Sequence, residues 1–95
     1  MKQELAALIS SVLAQLQTQG ILPPEDLPLV QLDNTRDKAH GDLACNIAMV
    51  LAKKAGKPPR ELAQLILNTL PANTIIAKAE LAGPGFINFF LSTAA

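Results

Sequence analysis

The sequence contains little cysteine, no excess of charge of either sign and no long apolar run, and each shortage excludes a class of protein. The single cysteine, Cys45, can form no internal disulfide and has no companions for a zinc site. Eight Lys and Arg balance eight Asp and Glu, so the excess of base typical of a nucleic-acid-binding arm or a membrane-surface helix is missing. The uncharged stretch 5–24 is too rich in Ser, Thr and Gln to span a bilayer, and Glu4 stands in what would be the basic start of a signal peptide. We therefore expect a cytoplasmic protein with no membrane segment and no metal site.

The length of 95 residues and the hydrophobic content of 49% are sufficient for one domain with its own core. No internal repeat, low-complexity tract or linker divides the chain. We expect a single domain over residues 1–95.

The spacing of apolar residues predicts three helices. The first has apolar residues at intervals of three and four and ends near Gly20; these residues are Leu5, Leu8, Ile9, Val12, Leu13 and Leu16. The second is expected to begin with Asp42 as its N-cap and to continue through the apolar residues 43–52. The third begins in Lys57-Pro58-Pro59-Arg60 and ends before Pro71.

Three shorter segments are predicted to be strands. Residues 27–33 form one short strand, and residues 75–81 and 87–91 alternate on either side of Gly83-Pro84-Gly85, as in a β-hairpin. The resulting order α-β-α-α-β-β predicts an α+β fold, with helices packed on one face of a small antiparallel β-sheet.

A three-residue hairpin loop determines which side chains share a face. It places Leu81 opposite Ile87 and Glu80 opposite Asn88, because side chains alternate between the two faces of a strand. The predicted core face carries Ile75, Ala77, Ala79, Leu81, Ile87, Phe89 and Leu91. The other face carries Lys78, Glu80, Phe86, Asn88 and Phe90.

The second face has the chemistry of a base-reading platform. A phenyl ring can stack on a nucleobase, and the neighbouring amide offers a donor and an acceptor to the edge of the base. Two alternatives are compatible with the same residues. Phe86 and Phe90 could pack under a helix while Asn88 caps backbone groups, or the Phe86/Phe90 face could dock another protein domain.

The remaining candidates favour structural roles or stay open. The sequence indicates that His40-Gly41-Asp42 is a loop histidine before a helix cap and that Cys45 is a small core residue. No nucleophile and base are arranged for catalysis, so we predict no catalytic residue. Lys53, Lys54, Lys57 and Arg60 form a basic cluster, either a solvated helix end or a group of phosphate contacts.

Residues 40–66 and 82–91 resemble the N-terminal additional domain of bacterial arginyl-tRNA synthetases. The resemblance depends on His-Gly-Asp from residue 40, Lys-Pro-Pro-Arg from residue 57 and Gly-Pro-Gly-Phe-Ile-Asn from residue 83, in this order. It implies the additional domain of a class I ligase that joins arginine to its tRNA with ATP and Mg²⁺.

The resemblance also implies a division of labour within the ligase. The catalytic and anticodon-binding domains would lie outside this chain, so the fragment would be non-catalytic and bind no cofactor. Its partners would be the tRNA for arginine and the catalytic domain of the same chain. By motif position, Phe86 and Asn88 would contact a nucleotide of the tRNA D-loop.

Overall fold

The computed structural model describes residues 1–92 and shows an α+β fold, as the sequence predicts. The helices are α1 (Lys2–Thr18), α2 (Ile47–Ala55) and α3 (Pro59–Thr69), with a short 3₁₀ helix at Lys38–His40. The strands are β1 (Leu32–Asn34), β2 (Leu43–Cys45), β3 (Ile76–Ala82) and β4 (Phe86–Leu91). They form one antiparallel sheet in the order β1-β2-β4-β3.

The core lies between the three helices and one face of this sheet. Helix α1 buries most of its predicted apolar stripe, with Leu8 only partly covered. Helix α3 buries Leu62, Ala63 and Ile66. Within residues 1–92, no helix combines the length and the apolar character that crossing a bilayer requires.

The prediction of a helix beginning at Asp42 is wrong. Residues 43–45 form strand β2, and α2 begins only after Asn46, its N-cap. Strand β2 pairs with β1 on one side and with β4 on the other, and the β4 partners are distant in sequence: Leu43 pairs with Phe89. Apolar content cannot distinguish a buried strand of this length from a helical turn. The observed order is therefore α-β-β-α-α-β-β.

The first strand lies later in the chain than predicted. It covers only Leu32–Asn34, because its partner β2 is itself only three residues long. The preceding segment is irregular: Leu27 and Val30 pack partly against the core, whereas Leu29 is 87% exposed.

The β3–β4 hairpin has the predicted register next to its turn. Leu81 pairs with Ile87 and Glu80 with Asn88. Farther from the turn, an irregularity between Ile76 and Lys78 shifts the pairing. The prediction that Ala77 belongs to the core is therefore wrong: Ala77 is exposed, and Ile76 packs against the core.

Candidate functional site

Phe86 and Asn88 lie on the face of the sheet opposite the helices. The intervening Ile87 and the following Phe89 are fully buried in the core. Phe86, in contrast, is 39% exposed, one of the few large apolar side chains with this much accessible surface. Phe86 and Asn88 therefore share one face, as alternation predicts, and Phe86 offers an accessible ring.

Asn88 is nearly buried as a residue, but its carboxamide has no hydrogen-bonding partner among residues 1–92. The residue is 9% exposed and lies in the middle of the sheet, between Ala44 of β2 and Glu80 of β3. No buried side-chain nitrogen or oxygen in the described residues is both sealed from solvent and unbonded, so the Asn88 amide reaches the surface. It does not cap backbone groups, and its donor and acceptor are free to bind a ligand.

Phe90 lies at the other end of the same face and is already in contact with the protein. The Lys78 ammonium stands 4.3 Å from the centre of the Phe90 ring, a cation–π contact. On the other side, a Cβ built on Gly41 would lie 3.3 Å from the ring. Phe86 and Phe90 therefore do not form one continuous aromatic surface.

The face containing Phe86 and Asn88 borders a hollow of about 370 Å³. One wall comes from the sheet and is formed by Phe86, Asn88, Ala44 and Ala82. A second wall, here called the loop wall, is formed by Thr35, Arg36 and His40 from the segment between β1 and β2. The sequence reasoning missed this wall. Residues 34–40 are mostly polar, which is typical of a loop. Their position beside β4 depends on strand β2, which the sequence does not predict.

The His40-Gly41-Asp42 motif attaches this loop to β4. The Asp42 N–H donates to the Phe89 carbonyl at 2.8 Å, and Asp42 Oδ2 accepts the Leu91 N–H at 2.8 Å. Gly41 has a φ of +87°, and a Cβ there would lie 2.7 Å from the Phe89 carbonyl oxygen. The motif therefore provides close backbone approach and two hydrogen bonds, rather than the helix cap expected from the sequence.

The Gly83-Pro84-Gly85 turn is attached to the start of α3. A Cβ on Gly85 would lie 2.6 Å from the Pro59 Cβ, and Arg60 donates a hydrogen bond to the Gly83 carbonyl. The Lys-Pro-Pro-Arg and Gly-Pro-Gly motifs thus meet in space. Their contact determines where β4 begins and therefore where the Phe86 ring stands.

The predicted basic cluster is largely paired with groups of the protein. Lys54 forms an ion pair with Glu25 at 2.7 Å, and Lys57 lies 3.9 Å from Glu61. Arg60 donates a hydrogen bond to the turn, and of the four side chains only that of Lys53 forms neither an ion pair nor a hydrogen bond with a described residue. These side chains belong to the helical layer rather than to the Phe86/Asn88 face. Their contact with phosphates stays a prediction.

Two further observations concern metal and thiol chemistry. No three or more His, Cys, Asp or Glu side chains within residues 1–92 are grouped to hold a metal ion, and we assign no step involving ATP or Mg²⁺ to these residues. Cys45 is buried in the core, as predicted, and burial raises the pKa of its thiol.

The family model described as the arginyl-tRNA synthetase N-terminal domain matches residues 3–91. The chain belongs to this family. It is 54% identical over 95 residues to the arginine–tRNA ligase of Shewanella putrefaciens and 55% identical over 91 residues to that of Shewanella amazonensis. These matches include 100% and 96% of the chain, respectively. The chain spans only 16% of the length of each relative.

Two solved structures have the same fold as this arginyl-tRNA synthetase N-terminal domain. The arginyl-tRNA synthetase of Thermus thermophilus matches 98% of the chain with a TM-score of 0.73 and 25% identity, over 14% of its own length. The arginyl-tRNA synthetase of Plasmodium falciparum matches 96% of the chain with a TM-score of 0.75, over 16% of its own length. At 18% identity, the second likeness demonstrates the fold alone.

Proposed function

We propose that this chain is the tRNA-elbow recognition domain of a cytoplasmic arginine–tRNA ligase, with Phe86 and Asn88 reading one nucleotide of the D-loop. The observation that carries the proposal is the pairing of an exposed ring with an accessible, unpartnered carboxamide on the face of the sheet opposite the helices. Membership of the family supports the ligase as the parent enzyme.

Phe86 and Asn88 supply different parts of recognition. Phe86 provides a flat apolar surface, which stacks on any base and contributes affinity. The Asn88 carboxamide provides one acceptor and one NH₂ donor, which distinguish bases by the groups on their edges. Asn88 is paired with both neighbouring strands and Phe86 with Ala82 of β3, so the backbone of both residues is held before tRNA arrives and little ordering entropy is lost on binding.

The balanced charge of the chain makes the domain a recognition element rather than the main source of affinity. Nonspecific attraction to RNA comes mainly from cationic side chains facing phosphates. The rest of the ligase would supply most of those contacts. It would also contain the catalytic domain that uses ATP and Mg²⁺, so this domain would take no part in the reaction itself.

The proposal is tested by substituting Phe86 in the full-length ligase that carries this domain. We expect Phe86→Ala to weaken tRNA binding by about 1–3 kcal/mol, the contribution of one base stack, and Phe86→Tyr to retain most of the affinity because it keeps the ring. Asn88→Ala should reduce affinity less and discrimination between D-loop nucleotides more. Binding and aminoacylation are measured with tRNAs that differ at single D-loop positions.

The same variants separate tRNA recognition from the docking of another domain. If Phe86 packs against a neighbouring domain of the ligase, Phe86→Ala will lower the melting temperature of the ligase while leaving the tRNA Kd unchanged. Unaltered tRNA binding for both Phe86→Ala and Asn88→Ala, whichever D-loop nucleotide is present, contradicts the proposal.

A further inference from the structure

We propose that Arg36 binds the backbone phosphate of the nucleotide whose base stacks on Phe86, so that the hollow receives one nucleotide with its base on the sheet and its phosphate on the loop. This inference rests on the proposed function and adds a second subsite to it. Arg36 and Phe86 line the same hollow but come from different elements, the loop before β2 and the start of β4.

The Arg36 side chain is free to bind an anion. It is exposed and forms no ion pair or hydrogen bond with any residue in the range 1–92. A planar guanidinium binds a phosphate through two parallel N–H donors, a geometry that a lysine ammonium does not reproduce. Arg36 also borders a neighbouring hollow with Lys38 and Asp42, so a backbone that continues past the nucleotide has a path along the same loop.

The hollow contains a second free polar group in addition to Arg36. Asn88 is 9% exposed and lines the hollow, and its carboxamide reaches the surface without a partner among the described residues. Its free donor and acceptor are therefore available to a ligand in the hollow. Asn88 therefore indicates the position of a polar base edge, and Arg36 indicates the position of the charge on the same ligand.

Charges on the sheet separate the two subsites. The row of cross-strand neighbours through Asn88 contains Asp33 at one end and Glu80 at the other. Glu80 is paired with Lys78 at 3.8 Å, so the Asp33 carboxylate, which has no ion pair with a described residue, is the charge that disfavours a phosphate on the sheet and favours the amino groups of a base. The loop wall, where the Arg36 guanidinium lies, is the part of the hollow that favours an anion.

The loop wall is held in place before the ligand binds. The Thr35 N–H donates to the Asp42 carbonyl at 3.3 Å, and the Thr35 hydroxyl donates to the Gly41 carbonyl. Asp42 in turn is attached to β4 by two hydrogen bonds, one through its backbone N–H and one through its side-chain carboxylate. Arg36 thus extends from a braced backbone, and a volume of about 370 Å³ lies at the lower end of the range for small-ligand sites, as a single nucleotide requires.

The test is a double-mutant cycle in the full-length ligase, combining Arg36→Gln with Phe86→Ala and measuring the tRNA Kd between 50 and 300 mM salt. We expect Arg36→Gln alone to weaken binding about 5- to 10-fold at low salt and to reduce the slope of log K against log [salt] by about 0.7–1. In the Phe86→Ala background the same substitution should weaken binding less than about 2-fold, because two groups that hold one nucleotide are coupled.

Lys38→Gln is the matched control, because Lys38 has the same charge, lies in the same loop and does not line the hollow. Its effect should be additive with that of Phe86→Ala. Arg36→Lys should restore the salt slope but only part of the affinity, because it keeps the charge and loses the planar fork.

The outcomes distinguish this inference from the proposed function. If Phe86→Ala weakens binding but Arg36→Gln leaves the salt slope unchanged, or has equal effects in both backgrounds, the phosphate subsite is wrong and the proposed function stands. If neither Phe86→Ala nor Asn88→Ala changes binding, the proposed function fails and the inference fails with it, whatever Arg36→Gln does.

Discussion

Gly41 and the carbonyl of Phe89 approach so closely that a Cβ on Gly41 would stand 2.7 Å from the Phe89 oxygen. This contact brings the loop before β2 onto the last strand, beside the face that carries Phe86 and Asn88. The conformation of the candidate site therefore depends on a residue that has no side chain.

We predict that Gly41→Ala destabilises the domain by more than Gly20→Ala does. Gly20 supplies a control for the positive φ: its φ of +79° is similar, but a Cβ there would have no neighbour within 4 Å. Gly20→Ala should cost about 1–2 kcal/mol for the positive φ, whereas Gly41→Ala adds a ψ of −161°, which with this φ is essentially restricted to glycine, and a steric clash with the Phe89 carbonyl. Urea unfolding of both variants measures the difference. Equal losses would show that the loop yields and that the close approach is unimportant.

Asp42 is predicted to stabilise the fold through Leu91 rather than through helix α2. Asp42→Ala removes the acceptor of the partly buried Leu91 N–H and should cost about 1–3 kcal/mol, whereas Asp42→Asn keeps an acceptor oxygen and should recover most of this loss. The contact with Lys38 at 3.7 Å is exposed and adds little. Urea unfolding and hydrogen exchange at the Leu91 amide report the effect. Selective loss of protection in α2 would instead support a capping role.

Two neighbouring phenylalanines should respond oppositely in stability and in binding. Phe89 is fully buried, so Phe89→Ala should cost about 3–5 kcal/mol and can unfold the domain; the milder Phe89→Leu keeps the test measurable. Phe86→Ala, at a position 39% exposed, should cost less than about 1 kcal/mol. Thermal or urea unfolding of each variant checks the ranking. A large loss for Phe86→Ala would mean that its ring supports the fold.

Cys45 should make stability fall as the solution becomes alkaline. Burial raises the pKa of its thiol, and nearby Asp33 acts in the same direction, while a backbone hydrogen bond from Ile47 opposes them. The folded state therefore keeps a proton that the unfolded chain releases near pH 8.5. The contribution is complete below that pH and is lost above it, with a slope of at most about 1.4 kcal/mol per pH unit.

Comparison with Cys45→Ala isolates this effect. The free energy of unfolding between pH 7.5 and 9.5 should fall more steeply for the natural chain than for the variant. Parallel pH profiles would show that the thiol ionises equally in both states.

The elements that could be predicted from the sequence are those whose pattern is local. Helices α1 and α3 repeat apolar residues every three to four positions, and the hairpin alternates on both sides of a glycine–proline–glycine turn. Phe86 and Asn88 were found in this way, because a register next to a short turn assigns each side chain to a face. Ala77 was misplaced, because an irregular pairing beyond the turn leaves no signal in the alternation.

Strand β2 and the loop wall could not be predicted, because both depend on β4, which lies more than 40 residues later in the chain. Three apolar residues form a strand here only because β1 and β4 supply hydrogen bonds from either side. Without that strand, Asp42 looks like a helix cap and Arg36 like an ordinary loop residue.

The order of residues alone determined that the Phe86 ring and the Asn88 carboxamide lie on the face of the sheet away from the core, since alternation along a strand is a property of the backbone. The fold decided what stands opposite them. Packing of the loop against β4 brings Arg36 and His40 to the same hollow. This proximity arises from hydrogen bonds between distant segments, such as the bond between Asp42 and Leu91, which lie 49 residues apart in the chain.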